Sequence, residues 1–78
     1  MQRAFVCLTT EPATTPRVLE QVKTIEGVQE IEMVYGAYDI CFKVGGDTID
    51  KLKNTVNKRI RGIDSVRETL FTVFAKPE

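Results

Sequence analysis

Ile25-Glu26-Gly27-Val28-Gln29-Glu30 returns 38 positions later as Ile63-Asp64-Ser65-Val66-Arg67-Glu68, and the same offset places Val18 on Val56 and Val22 on Ile60. An offset that carries both helix-face positions and the helix exit behind them marks a repeated structural unit. In the first copy, Thr15 stands as N-cap with Pro16 at the first helical position, where a missing N–H costs nothing. Val18, Leu19, Val22 and Ile25 then share one face, Arg17, Glu20, Gln21 and Lys23 lie opposite, and Gly27 supplies the stop. In the second copy, Gly45-Gly46-Asp47 is a link ending in an N-cap candidate. Ile49, Leu52, Val56 and Ile60 follow at spacings of three, four and four, which predicts a longer second helix.

Strands flank both helices. Residues 4–9, Ala-Phe-Val-Cys-Leu-Thr, form a run without polar alternation, as expected of a central strand covered on both faces. Residues 28–35 show period two, with Ile31, Met33 and Tyr35 on one face and Glu30 and Glu32 on the other, the pattern of an edge strand. Gly36-Ala37 separates this strand from residues 38–44 by a short hairpin turn, and residues 66–75 give a last strand. The order is βαββαβ. With right-handed crossovers, the two β-α-β halves interleave into one four-stranded antiparallel sheet, strands one and three central and both helices on one face. The expected fold is an α+β ferredoxin-like sandwich of the dimeric α+β barrel type, one domain spanning residues 1–78.

Composition narrows the chemistry. Eleven Lys and Arg balance eleven Asp and Glu, so the overall positive charge usual in a stand-alone nucleic-acid binder is absent. The chain contains no histidine, which removes the commonest general base and the usual partner of a Ser or Cys nucleophile. Two cysteines without histidine supply too few soft ligands for a structural zinc. No apolar run approaches the ~20 residues that span a bilayer, and the N-terminal stretch is broken too early by Glu11 and Pro12 for a signal sequence. Classical triad chemistry is excluded, and the expectation is a cytoplasmic protein with no metal or cofactor and no catalytic residue singled out.

A core this small seldom leaves more than about 3–5 kcal/mol of net stability, so oligomerisation is the expected supplement. If Ile40, Phe42 and Val44 face the helices, then Asp39, Cys41 and Lys43 face the other way, joined by Phe5, Cys7 and either Phe71 or Phe74. Left wet, that face would be a large apolar patch, and a homodimer joined through its sheets would cover it.

The stretch Val34-Tyr35-Gly36-Ala37-Tyr38-Asp39 crowds two aromatic rings, a glycine and a carboxylate at one turn. Such a turn suits a small zwitterion, the carboxylate holding an ammonium group and the turn amides its carboxylate. Equally, the tyrosines are hairpin packing residues and Asp39 caps the turn. The basic residues Lys51, Lys53, Lys58, Arg59 and Arg61 carry no interleaved aromatic and read as a solvated face favoured by the helix dipole. Cys7 and Cys41 fall on adjacent central strands, where contact is open to them, and are read as small buried hydrophobes. Glu30, Glu32 and Glu68 decorate solvent-facing edges, and Gly45-Gly46 lacks the Lys-Ser/Thr of a phosphate loop.

Taken in order, Ala4-Phe5-Val6-Cys7-Leu8-Thr9-Thr10, Val18-Leu19, Ile25-Glu26-Gly27-Val28, Val34-Tyr35-Gly36-Ala37-Tyr38-Asp39-Ile40, Ile63-Asp64-Ser65-Val66 and Thr69 resemble the effector-binding (RAM) domain of Lrp/AsnC transcriptional regulators. The resemblance covers nearly the whole chain, and the Gly-x-Tyr-Asp turn and the two Ile-x-Gly/Ser-Val helix exits are its most specific pieces. It implies a βαββαβ fold, dimers joined through their sheets, octameric rings of dimers, and amino-acid effectors bound between dimers. Carried over residue by residue, the effector-binding positions are Tyr35, Gly36, Tyr38 and Asp39, with Thr69 on the last strand. Two positions depart from the family pattern, which has Gly where Ser65 stands and often a second Thr where Phe71 stands.

Regulators of this family carry an N-terminal helix-turn-helix domain, whereas this sequence opens on the first strand. The resemblance therefore implies a stand-alone amino-acid-sensing module that makes no direct nucleic-acid or membrane contact and acts with full-length Lrp/AsnC regulators. Two other classes share the fold. A small dimeric α+β-barrel enzyme, of the monooxygenase or isomerase kind, would show a deep closed cavity behind the sheet. An ACT-like module would pair its sheets side by side.

Overall fold

The computed structural model describes residues 1–76. The elements run β1 (Gln2–Thr10), α1 (Thr15–Lys23), β2 (Val28–Met33), β3 (Ile40–Gly46), α2 (Ile49–Asn54), a π-helical continuation (Thr55–Ile60) and β4 (Val66–Val73). The four strands form one antiparallel sheet in the order β2-β3-β1-β4, so strands one and three are central, as the βαββαβ reading requires.

Alternation across the sheet builds the core. Ala4, Val6 and Leu8 of β1 and Ile40, Phe42 and Val44 of β3 are buried beneath Val18, Val22 and Ile25 from the first helix region and Leu52, Val56 and Ile60 from the second. The equivalent pairs Val18/Val56 and Val22/Ile60 are thus all buried, and the repeat is a repeat of packing. Hydrogen bonds repeat as well. Ile25 N–H donates to Val22 O at 3.1 Å and Val28 N–H to Ile25 O at 3.2 Å, while Ile63 N–H donates to Ile60 O at 3.1 Å and Val66 N–H to Ile63 O at 3.3 Å.

Several local expectations are corrected. The first helix is capped at Thr14, whose hydroxyl donates to Glu11 O, while the Thr15 hydroxyl bonds that of Thr10 instead. The second helix is capped by Thr48 rather than Asp47, the Thr48 hydroxyl accepting the Lys51 N–H at 3.1 Å. Its second half widens into a π-helix, Arg61 N–H reaching back five residues to Val56 O, and Ile49 lies exposed at its start. A register shift between Gln29 and Glu32 interrupts β2, and Glu30 takes a left-handed φ of 52°. The bulge breaks the strict alternation expected of residues 28–35, leaving Ile31 against the core and Met33 exposed. Strand β2 ends at Met33 and β3 begins at Ile40, so residues 34–39 form a wider connection than the expected Gly36-Ala37 turn.

The open face carries Phe5, Cys7, Cys41, Lys43 and Leu70. Phe74, not Phe71, belongs there: Phe71 pairs with Val6 and packs on the helix side, whereas the Phe74 ring lies 5.3 Å from the Arg3 guanidinium and 5.9 Å from Lys43 Nζ. Lys43 also pairs with Glu30 at 3.2 Å. The cysteines are not free. Register places Cys7 directly opposite Cys41 with a Cα separation of 4.2 Å, and their sulfurs form a disulfide across the two central strands.

Candidate functional site

The site grows from the end of the sheet where β1 stops and the 34–39 connection folds back. Asp39 N–H donates to Leu8 O at 2.8 Å, and Val34 N–H donates to Asp39 O at 2.9 Å, so the backbone of Asp39 is tied to both neighbouring segments. Its carboxylate is held too. Oδ2 accepts the Thr10 N–H at 2.9 Å and lies 3.4 Å from the Thr10 hydroxyl. A carboxylate fixed through one oxygen by β1 keeps the other available, and stays half-buried rather than free in solvent.

Two clefts flank this point. One, of about 580 Å³, is lined by Thr9, Thr10, Asp39, Arg67 and Glu68. The other, of about 470 Å³, is lined by Tyr38, Arg61, Arg67, Glu68 and Thr69 together with Val66 and Leu70. They share Arg67 and Glu68. Pairing of β1 with β4 shifts between Thr9 and Thr10, which face Glu68 and Val66, so Arg67 is the extra residue of a bulge. A bulge at a sheet end re-aims the side chain it releases, and here that side chain borders both clefts.

Of the five residues singled out in the sequence, the structure brings Tyr38 and Thr69 to one cleft and Asp39 to the other. Tyr35 and Gly36 line neither; Tyr35 projects fully into solvent and Gly36 takes a φ of 136° that favours glycine. Thr10, Arg61, Arg67 and Glu68 were not legible as site residues. Thr10 meets Asp39 across 29 positions of sequence, and Arg67 is brought in by a register shift that no residue pattern announces. Among the described residues there is no cluster of metal-ligating side chains and no helix long and apolar enough to cross a membrane.

These features define a class: a small ferredoxin-like α+β domain whose sheet leaves one face uncovered and whose polar clefts sit at the sheet end beside the β2–β3 connection. Within that class the chain belongs to the Lrp/AsnC ligand binding domain family, whose family model matches residues 3–76. An HTH-type transcriptional regulator of Pyrococcus furiosus is 33% identical over 73 residues, covering 90% of this chain and 49% of the regulator. One from Pyrococcus abyssi is 29% identical over 66 residues, covering 85% and 42%. The chain spans about half the length of these curated relatives. Among solved structures, FFRP-DM1 matches with a TM-score of 0.90 at 28% identity over 95% of this chain and 99% of that one. Escherichia coli AsnC matches in fold, with a TM-score of 0.88 at 24% identity over 96% of this chain and 51% of AsnC.

Proposed function

We propose that the chain is an amino-acid-sensing regulatory module, binding a small amino-acid effector at the sheet end formed by Tyr38, Asp39 and Thr69, with Tyr35 and Gly36 completing the site from a neighbouring dimer. The observation that carries this reading is the Asp39 carboxylate, half-buried in the cleft beside β1 and held by the Thr10 N–H at 2.9 Å. A positioned carboxylate is the complement of an ammonium group, and hydroxyls on Tyr38 and Thr69 supply the neutral donors that a zwitterion also needs. The clefts open at the end of the sheet rather than behind it, which favours a sensor over a small α+β-barrel enzyme; no catalytic role is proposed.

Assembly follows from the open face. The half-buried Phe5 and Cys41 and the exposed Leu70 make an apolar band on a sheet that has helices only on its other side, and a homodimer joined face to face would remove it from water. Dimers assembled as an octameric ring would bring the exposed Tyr35 of one dimer towards the clefts of the next. Full-length Lrp/AsnC regulators would be the module's partners.

A thermal-unfolding panel against the twenty amino acids at millimolar concentration tests the reading. A ligand at about 100 times its Kd adds roughly 2.7 kcal/mol, a rise of about 10 °C or more for a domain of this size. Asp39→Asn keeps an oxygen for the Thr10 N–H while removing the charge, so the expected result is a rise with one or a few amino acids that disappears in this variant. No rise with any amino acid overturns the sensor reading.

A further inference from the structure

The two clefts differ in charge. The one beside β1 presents Asp39 and Glu68 with Arg67, an excess of one negative charge; the one beside β4 presents Arg61 and Arg67 with Glu68, an excess of one positive charge. Arg67 and Glu68 line both, so a ligand that spanned the two would meet both charges. Neither guanidinium is in an ion pair among the described residues, although acidic side chains are as numerous as basic ones in the chain. Arg61 stands at the end of the π-helical segment, a local widening that is frequent at functional sites, and Arg67 is released from the β4 ladder by its bulge.

We infer that the effector is an acidic amino acid, a molecule with one ammonium and two carboxylate groups, and that Arg61 is the residue that selects it. This inference rests on the sensor reading and specifies its ligand class. The ammonium group faces Asp39 and Glu68, the α-carboxylate lies at Arg67, and the side-chain carboxylate extends into the β4 cleft towards Arg61, with Tyr38 and Thr69 hydroxyls beside it. Guanidinium–carboxylate contacts are charge-assisted and bidentate, so the cleft discriminates a carboxylate from its isosteric amide. An apolar side chain in the same place would leave Arg61 without a counter-charge and gain little burial from a lining that is mostly polar.

Calorimetric titration of the chain with L-glutamate, L-aspartate, L-glutamine and L-leucine at constant ionic strength tests this, on the wild type and on Arg61→Gln and Arg61→Lys. Glutamate or aspartate should bind at least about tenfold more tightly than glutamine. Arg61→Gln should abolish that preference while leaving glutamine affinity within about threefold, and Arg61→Lys should restore part of it. Arg61 is exposed, so the variants should keep the wild-type circular dichroism spectrum. Glutamine or leucine binding as tightly as glutamate overturns the acidic-ligand inference and leaves the sensor reading standing. Binding of no amino acid overturns both.

Discussion

The two halves of the molecule, residues 2–33 and 40–73, use one plan with one unequal joint. In both, the helix exit turns through a left-handed residue, Gly27 at φ 93° and Ser65 at φ 80°. In both, the carbonyl of that residue accepts an N–H from beyond or near the end of the other half's first strand, Gly45 N–H to Gly27 O and Glu11 N–H to Ser65 O, each at 2.9 Å. Their surroundings are what differ. A Cβ on Gly27 would stand 2.7 Å from the Gly45 carbonyl oxygen, inside the contact limit and against backbone. Ser65 carries a side chain at the equivalent position, and its hydroxyl accepts a hydrogen bond from Arg17 Nη2 at 2.8 Å. Left-handed backbone tolerates a side chain at a modest cost; left-handed backbone pressed on a neighbouring strand does not.

The disulfide ties these halves together, and removing it is the largest change expected. Cys7 and Cys41 are 34 residues apart, a loop for which the chain-entropy account gives about 4 kcal/mol. The double variant Cys7→Ser, Cys41→Ser should lower the urea midpoint accordingly, and a reductant should do the same to the wild type. An unchanged midpoint would mean that the halves hold each other through packing alone. Next comes Gly27→Ala, for which the φ penalty and the overlap with Gly45 O together should cost about 3 kcal/mol. If this variant melts like the wild type, the close approach of the two strands is wrong. Smallest is Ser65→Gly, which relieves the left-handed strain but loses the Arg17 contact and adds unfolded-state freedom, for a net gain of about 0.5 kcal/mol. Destabilisation by more than that amount would show that the exposed Arg17–Ser65 hydrogen bond outweighs backbone strain.

How much was legible depends on the range of the interaction. Helix faces, the order of elements and the Gly27/Ser65 equivalence rest on residues within a few positions of one another, and periodicity reports these directly. The face assignments of Ile40, Phe42 and Val44 and of Phe5 and Cys7 follow from the two-residue period of a strand. The side of the sheet taken by Phe74 does not, because it lies just beyond the end of β4 at Val73. The clefts were legible only in part. Tyr38 and Asp39 stood out by type and order and Thr69 through the family resemblance, whereas Arg67 enters through a bulge and Arg61 through a π-helical widening, and both are small departures from regular geometry that the sequence pattern passes over.

Sequence by itself determined the fold class, the internal repeat and, Ile49 apart, the helix residues of the core, since hydrophobic burial is set by where apolar residues recur along regular elements. Tertiary structure alone decided which side chains from distant segments meet: Thr10 with Asp39, and Cys7 with Cys41. The physical reason is register. A shift of one residue in a strand pair moves every side chain to the other face, and that shift depends on contacts among segments 29 or more positions apart, which no local pattern encodes.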